Sequence, residues 1–378
     1  MKNFGGGILL RVAVIGFPNE IKIFNENVVK NSRGGGADFV EYVIQPPFIS
    51  QIPNPIPNVE IIPLAKAMQL YRDKKIDAIA ITFGNFFHDF RIKNQIKNLK
   101  LRGLDKILIF EEIRGTQISY WLNSQKYYIP YLETNLIDSC NLNCRGCMHF
   151  ASFFHRDEIY PIEKFAHDLD RLSQNADVLR FRLLGGEPLL LKNLDEYLDI
   201  ARKFFPQTLI AICTNGLLIP TLNDKIFAAI RRNSVVIDVT EYPPTTKIKS
   251  KIIETLNREG IKYSFEGPIR AFRLNMGDGT KIYNAEKARA ACHSDYCRFL
   301  RDGKIYKCPT DGLMYRFIER ASTKSYPQAM GVDLYSSDFS SMMDLLDQSV
   351  DLCYFCLDNE KLIPWQGGAE SDPNIWIA

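Results

Sequence analysis

No hydrophobic run in this chain is long enough to cross a bilayer. The apolar stretch at 8–16 carries Arg11 in its middle and reads as a first strand, so no membrane partner is expected. An excess of one charge sign is missing too. The formal net charge is +3 with both signs mixed along the chain, which leaves no basic stripe and argues against nucleic acid as a partner. A secretory leader is not evident and the nine cysteines are odd in number, so a reducing, cytoplasmic setting and metal ligation are expected rather than disulfides. Low-complexity tracts and internal repeats are absent; the proline-rich stretch 45–58 reads as a surface loop. What remains is an ordinary globular composition, 46% hydrophobic, and at 378 residues room for two or three domains with a sizeable core.

Residues 1–128 alternate short apolar runs with amphipathic stretches. Segments 12–17, 39–44, 78–82 and 106–110 read as buried strands, with helices at 64–74 and 90–102, which predicts a Rossmann-like sheet. A dinucleotide site would need a glycine-rich turn after the first strand, so that backbone amides at a helix N-terminus could approach the pyrophosphate. Here the turn is Gly16-Phe-Pro-Asn-Glu-Ile21, with a single glycine and a proline behind it, and NAD is not expected. Gly34-Gly35-Gly36 follows no strand and reads as a flexible loop.

Residues 129–285 carry a cleaner rhythm. Strands are predicted at 131–136, 178–184, 208–213, 235–240 and 261–265. The helix at 161–176 puts Ile162, Phe165, Leu169 and Leu172 on one face and opens with proline at a tolerated position; Leu194, Tyr197, Leu198 and Ala201 do the same in the next helix. Right-handed strand-helix-strand units of this length build a parallel sheet whose strand C-termini share one rim, and function is expected there.

Directly after the first of these strands comes Cys140-Asn-Leu-Asn-Cys144-Arg-Gly-Cys147. Spacings of three and then two residues bring three thiolates into one loop with no fourth cysteine nearby. Zinc prefers four ligands, whereas a cubane iron-sulfur cluster held by three thiolates keeps one iron free to bind a substrate or cofactor.

This loop resembles the signature of the radical S-adenosylmethionine (radical SAM) superfamily, which follows the first strand of a partial α/β barrel. The resemblance implies a partial (β/α)6 TIM-like barrel in which Cys140, Cys144 and Cys147 hold a 4Fe-4S cluster. Its open iron would chelate S-adenosylmethionine, and reductive cleavage would release methionine and a 5′-deoxyadenosyl radical that abstracts hydrogen from substrate. The family's usual aromatic residue before the third cysteine is replaced by Gly146, so adenine stacking is expected from Phe150 or Phe153. Gly185-Gly186-Glu187-Pro188, at the end of the second strand, matches the superfamily's acceptor motif for the methionine ammonium. The residue types fit: glycines allow close backbone approach, Glu187 is a charged acceptor and Pro188 stiffens the exit. Thr214-Asn215-Gly216 resembles the family's third strand end, and Asn215 offers both a donor and an acceptor to a ribose edge or substrate hydroxyl.

Asp238, Thr240 and Glu241, near the end of the fourth strand, are candidates for ribose or substrate contact, with Glu241 a candidate catalytic group. Cys213 reads as a buried small hydrophobe. Histidine is sparse, and His149, His155 and Arg156 read first as local hydrogen-bonding groups, with an acid or base role open.

Residues 286–378 hold five more cysteines. Phe299-Leu-Arg and Lys304-Ile-Tyr-Lys-Cys308 read as the two arms of a hairpin around the turn Asp302-Gly303. The run from Cys292 through Gly303 to Cys308 resembles the opening of the twitch and SPASM extensions of radical SAM enzymes. That resemblance implies one auxiliary 4Fe-4S cluster on Cys292, Cys308, Cys353 and Cys356, with Cys297 as alternative ligand or as a group acting on substrate; a four-cysteine zinc ribbon is the competing reading.

Together these readings predict an α/β chain with a Rossmann-like domain, a radical SAM partial barrel and a small cysteine-rich twitch/SPASM-like extension. Its expected activity is dehydrogenation or epimerisation of a sugar, sugar-nucleotide or cyclitol, with flavodoxin or ferredoxin as electron donor. A peptide maturase would carry a winged recognition segment at the N-terminus, and the β/α alternation there argues against one. The remaining alternative is a non-catalytic scaffold binding zinc or iron-sulfur.

Overall fold

The computed structural model describes residues 11–32, 39–45, 52–82, 103–113, 116–123, 125–153, 158–280, 282–320, 326–329, 331–368 and 372–377. The helix predicted at 90–102, the Gly34-Gly35-Gly36 loop, His155 and Arg156 lie outside the described residues. The chain forms two compact units, residues 1–128 and 129–378.

In the first unit, strands β1 (Arg11–Gly16), β2 (Phe39–Gln45), β3 (Glu60–Pro63), β4 (Ala78–Thr82), β5 (Ile107–Ile113) and β6 (Thr116–Leu122) form one sheet in the order β3-β2-β1-β4-β5-β6. All neighbours are parallel except the β5/β6 pair. Two flanking helices are described, Pro18–Ser32 and Leu64–Arg72. β1 and β4 are apolar along nearly their whole length because both faces of a parallel sheet are covered. Val12, Val14, Val43, Ala80 and Phe110 pack with Ile21 and Phe24 of the first helix. Gly16 serves packing here: a Cβ would stand 1.9 Å from the Thr82 carbonyl oxygen.

The second unit opens with β7 (Tyr127–Ile137), followed by β8 (Ala176–Gly185), β9 (Leu209–Thr214), β10 (Val236–Thr240) and β11 (Tyr263–Glu266). Helices Ile162–Asn175, Leu194–Phe204, Asp224–Arg232 and Pro243–Arg258 alternate with them. Every strand and helix predicted in this region is present within a few residues, because each helix has one apolar stripe to bury. Phe165, Leu169, Leu172 and Leu198 are fully buried. Truncating one of the buried phenylalanines, Phe165 for example, would cost about 3–5 kcal/mol.

The parallel run β7 to β11 stops at five strands. A sixth, β12 (Ala271–Met276), leaves the sheet and pairs antiparallel with β16 (Cys356–Pro364). The predicted hairpin is present as β13 (Arg298–Arg301) and β14 (Lys304–Tyr306), with Asp302 and Gly303 both at positive φ, as a two-residue turn demands. It is not a detached module: β13 pairs in parallel with β7, and a two-stranded contact to β15 (Val332–Asp333) completes the sheet order β11-β10-β9-β8-β7-β13-β14-β15. Residues 286–378 therefore share sheets with the barrel, and the boundary predicted at 285/286 marks no separate compact unit. The fold is mixed α/β, with the second unit a partial barrel.

Candidate active site at the strand rim

The strand ends meet through backbone contacts that only glycine permits. Gly186 N–H donates to the Ile137 carbonyl at 2.8 Å, and Glu187 N–H to that of Ser139 at 3.0 Å, so the end of β8 lies against the entry to the cysteine loop. A Cβ on Gly185 would stand 1.9 Å from the Ile137 oxygen, and one on Gly186 2.0 Å from that of Ser139. The two glycines thus first serve the approach of backbone to backbone.

Glu187 departs from its predicted role. Its side chain is wholly buried, one carboxylate oxygen accepting from Leu189 N–H (3.0 Å) and Thr214 Oγ1 (2.7 Å) and the other from Asn215 N–H (2.8 Å). Rather than presenting an acceptor to a ligand, it ties the end of β8 to the end of β9. Burial pushes its carboxyl up to about 7 against the opposing effect of these three donors. Pro188 opens the short helical turn Pro188–Leu190. Asn215 points to the cysteine loop: its amide donates to Asn141 Oδ1 at 2.6 Å and lies 3.9 Å from Cys140 Sγ, while its own oxygen accepts from Leu217 N–H.

Cys140, Cys144 and Cys147 stand close enough for Cys147 to raise both of its neighbours electrostatically. Burial is the larger effect, and it pushes Cys140 and Cys144 up to about 12. Two sulfurs already receive N–H groups: Leu142 N–H donates to Cys140 Sγ (3.4 Å), and the Trp365 indole to Cys144 Sγ (3.3 Å). A cationic centre bound between such buried thiols would draw them into the thiolate form, which the N–H donors also favour. The donor set fits a cluster held by three cysteines.

Phe150 and Phe153 do not line this site. They are buried against Phe317, and Phe153 also against Trp376, so their faces belong to the core. Tyr242 and Trp365, stacked at 5.8 Å between centroids, border the cysteines. The three cysteines in turn add to the burial that raises the Tyr242 hydroxyl. Glu241 is likewise committed elsewhere. It accepts from Lys249 Nζ (2.6 Å) and Thr246 Oγ1 (3.0 Å), and the Lys249 hydrogen bond holds its carboxyl below the usual range. Thr240, half-buried, ends β10 beside it.

The sheet face inside the barrel joins the candidates Asp238 and His149 to residues that sequence reading missed, Tyr131, Glu133, Asn135, Arg180 and Arg182. Arg182 donates to Tyr131 OH and Cys213 Sγ and pairs with Glu133 at 3.4 Å. Arg180 pairs with Asp238, which also accepts from Ser264 Oγ at 2.7 Å. His149 Nδ1 lies 3.1 Å from Asn135 Oδ1, and burial lowers its imidazole pKa and favours the neutral form. The signal was available as a period of two. Tyr131, Glu133 and Asn135 alternate with Leu132, Thr134 and Leu136, and Arg180 and Arg182 flank Phe181, in strands that are buried throughout.

Of the remaining cysteines, Cys292 ends the helix Ala285–Ala291, Cys308 precedes the helix Pro309–Arg320, Cys353 sits in the turn Asp351–Phe355 and Cys356 opens β16. Burial raises all four, and they reinforce one another: Cys292 and Cys356 raise Cys308, and Cys353 raises Cys292 and Cys356. Ser294 N–H donates to Cys292 Sγ (3.3 Å) and Asp311 N–H to Cys308 Sγ (3.4 Å). Cys297 faces the barrel instead. Beyond burial, the strongest influence on its thiol is Glu133, then Arg182, then Cys292. Among the described residues no three cysteine, histidine or acidic side chains converge tightly enough to hold a single metal ion.

Comparison with known proteins agrees with this geometry. The Radical SAM superfamily model matches residues 134–277. Among curated relatives, GTP 3′,8-cyclase of Helicobacter pylori (strain HPAG1) is 28% identical over 141 residues, covering 36% of this chain and 44% of that protein. The same-named enzyme of Aliarcobacter butzleri (strain RM4018) is 26% identical over 194 residues, 50% of this chain and 55% of that one. The chain thus spans about half the length of these relatives. Among solved structures, BtrN in complex with AdoMet and 2-DOIA aligns with 62% of this chain and all of that one, at 16% identity and a TM-score of 0.39. AdoMet-bound anSMEcpe aligns with 36% and 43% respectively, at 16% identity and a TM-score of 0.30. No described helix is long and apolar enough to cross a membrane. The superfamily's cofactors are a 4Fe-4S cluster and S-adenosylmethionine, and residues 134–277 of this chain are a radical SAM domain.

Proposed function

We propose that this enzyme abstracts a hydrogen atom from a hydroxyl-bearing carbon of a carbohydrate-like substrate bound on the polar inner face of the barrel. The observation that carries this reading is the charge balance of that face. Arg180 and Arg182 are matched there by Asp238 and Glu133, among hydroxyl and amide groups. Such a surface offers many donors and acceptors without net charge, which suits a neutral polyol. The curated relatives are named for a triphosphate nucleotide, but a triphosphate would call for cations with no carboxylate partner, and both arginines have one.

Cys140, Cys144 and Cys147 are assigned as ligands of the S-adenosylmethionine-binding cluster, with the Gly185 and Gly186 backbone, Pro188, Asn215 and Thr240 lining the cofactor. Cys292, Cys308, Cys353 and Cys356 are assigned to an auxiliary cluster, since Cys292 stands with the other three and Cys297 faces the barrel. When bound, the first centre supplies the electron that cleaves S-adenosylmethionine to a 5′-deoxyadenosyl radical, and the second supplies an electron sink. With that radical to take a carbinol hydrogen atom and the sink to take one electron, Glu133 or His149 would accept the hydroxyl proton, and the alcohol would become a ketone. A second outcome rests on Cys297: burial keeps its thiol protonated beside Glu133 and Arg182, so it could give a hydrogen atom to the opposite face and epimerise the carbon, the thiyl radical left behind taking one electron from the proposed auxiliary centre and one proton. A flavodoxin or ferredoxin is the proposed electron donor.

The test is to reduce the reconstituted enzyme with S-adenosylmethionine and a panel of carbon-deuterated sugars, cyclitols, nucleotides and peptides. Deuterium should reach 5′-deoxyadenosine from a sugar or cyclitol, whose product is either two hydrogens lighter or unchanged in mass. Transfer only from a peptide or from GTP would overturn the substrate reading.

A further inference from the structure

The segment following β16 is stitched to the cysteine loop at every level. Arg145 N–H donates to the Gln366 carbonyl (2.9 Å) and Gly368 N–H to that of Leu142 (3.0 Å). The Trp376 indole donates to the Cys147 carbonyl (2.6 Å), and Trp376 itself is wholly buried against Phe153. Ile363 packs over the glycine inside the loop, whose left-handed backbone favours that residue. Gly146 has φ +72°, and a Cβ there would stand 2.6 Å from Ile363 Cδ1. The space over the loop that a side chain at 146 would fill is therefore taken by another part of the chain.

Among the described residues, the one side-chain donor within 3.5 Å of any of the three sulfurs is the Trp365 indole, 3.3 Å from Cys144 Sγ. Trp365 is held there from two sides, by its stack on Tyr242 and by its own backbone N–H, which donates to the Arg270 carbonyl at 2.9 Å. From this geometry we infer that residues 363–368 together with Trp376 form a built-in cap on the cluster loop, and that Trp365 is a positioning residue whose N–H···S bond sets the cluster's reduction potential. The inference rests on the assignment of Cys140, Cys144 and Cys147 as cluster ligands. The physical reason is direct: adding an electron makes the thiolate sulfurs more negative, so a fixed donor stabilises the reduced state more than the oxidised one. Ile363 contributes differently, by packing over Gly146 and excluding water.

The experiment is a potentiometric titration followed by electron paramagnetic resonance on reconstituted full-length protein, wild type beside Trp365→Phe, Trp365→His and Ile363→Ala. Trp365→Phe keeps an aromatic ring and removes the donor. It should lower the midpoint potential by about a tenfold change in the one-electron equilibrium, about 59 mV. Trp365→His restores a ring N–H and should recover part of the shift. Ile363→Ala should leave the potential near the wild-type value while a chelator strips iron faster. An unchanged potential in a Trp365→Phe protein with full iron content would overturn the inference, as would equal shifts in Trp365→Phe and Ile363→Ala. Failure of the wild type to take up iron and sulfide would instead remove the ligand assignment beneath it.

Discussion

The two sheets of this protein share a parallel, helix-flanked design, yet their strands are written differently. In the first unit β1 and β4 read Arg-Val-Ala-Val-Ile-Gly and Ala-Ile-Ala-Ile-Thr, apolar toward both faces. In the second, β7 and β8 are as deeply buried but place Tyr131, Glu133, Asn135, Arg180 and Arg182 on one face. Burying charge without return is costly, and the pairs Arg180 with Asp238 and Arg182 with Glu133 show how that cost is offset. A parallel strand with both faces packed needs only apolar residues; polar alternation in one that is equally buried is what the proposed substrate face rests on.

The largest effect expected from breaking this comparison is at the cluster loop. Replacing Cys140, Cys144 and Cys147 with alanine should abolish 5′-deoxyadenosine formation, measured by chromatography, while leaving the first unit's sheet intact by hydrogen exchange. Cys353→Ala with Cys356→Ala should halve iron content from about eight to about four. Cofactor cleavage should persist in that variant, with substrate turnover lost. Equal loss of cleavage in both variants would deny the second cysteine set a separate role.

Arg182→Met tests the polar face itself. It leaves Glu133 buried without its cation, so unfolding free energy should fall by about 3–5 kcal/mol in denaturant titration. Adding Glu133→Gln should recover much of that stability but not substrate binding. Recovery of both would make the pair structural only. Glu187→Gln keeps the shape but turns one acceptor oxygen into a donor facing N–H or O–H groups, with an expected cost of about 1–3 kcal/mol in the same assay. Smallest, and in the other sheet, Ile15→Val should cost about 0.5–1.5 kcal/mol and leave cofactor cleavage unchanged.

Much of the fold was legible because it is local. Period 3.6 in the 161–176 and 194–201 stretches and short β-rich runs between them need no knowledge of partners. The Asp302-Gly303 turn announced its hairpin for the same reason. What could not be read is what depends on distant segments. Gly146 stands out as a departure from the family pattern, but the side chain packed over it, Ile363, lies more than two hundred positions away. Phe150 and Phe153 looked available to a ligand until Phe317 and Trp376 closed over them. Glu187 stands out through its Gly-Gly-Glu-Pro motif and Glu241 through its place near a strand end; only coordinates show that Thr214 and Asn215 donate to the first and Lys249 to the second.

The most direct measurement is anaerobic reconstitution with iron and sulfide, followed by reduction in the presence of S-adenosylmethionine. The expected result is about eight irons with matching sulfide, and 5′-deoxyadenosine in the wild type but not in the Cys140, Cys144 and Cys147 variant. Zinc without sulfide, or an iron-loaded protein that leaves S-adenosylmethionine whole, would contradict it.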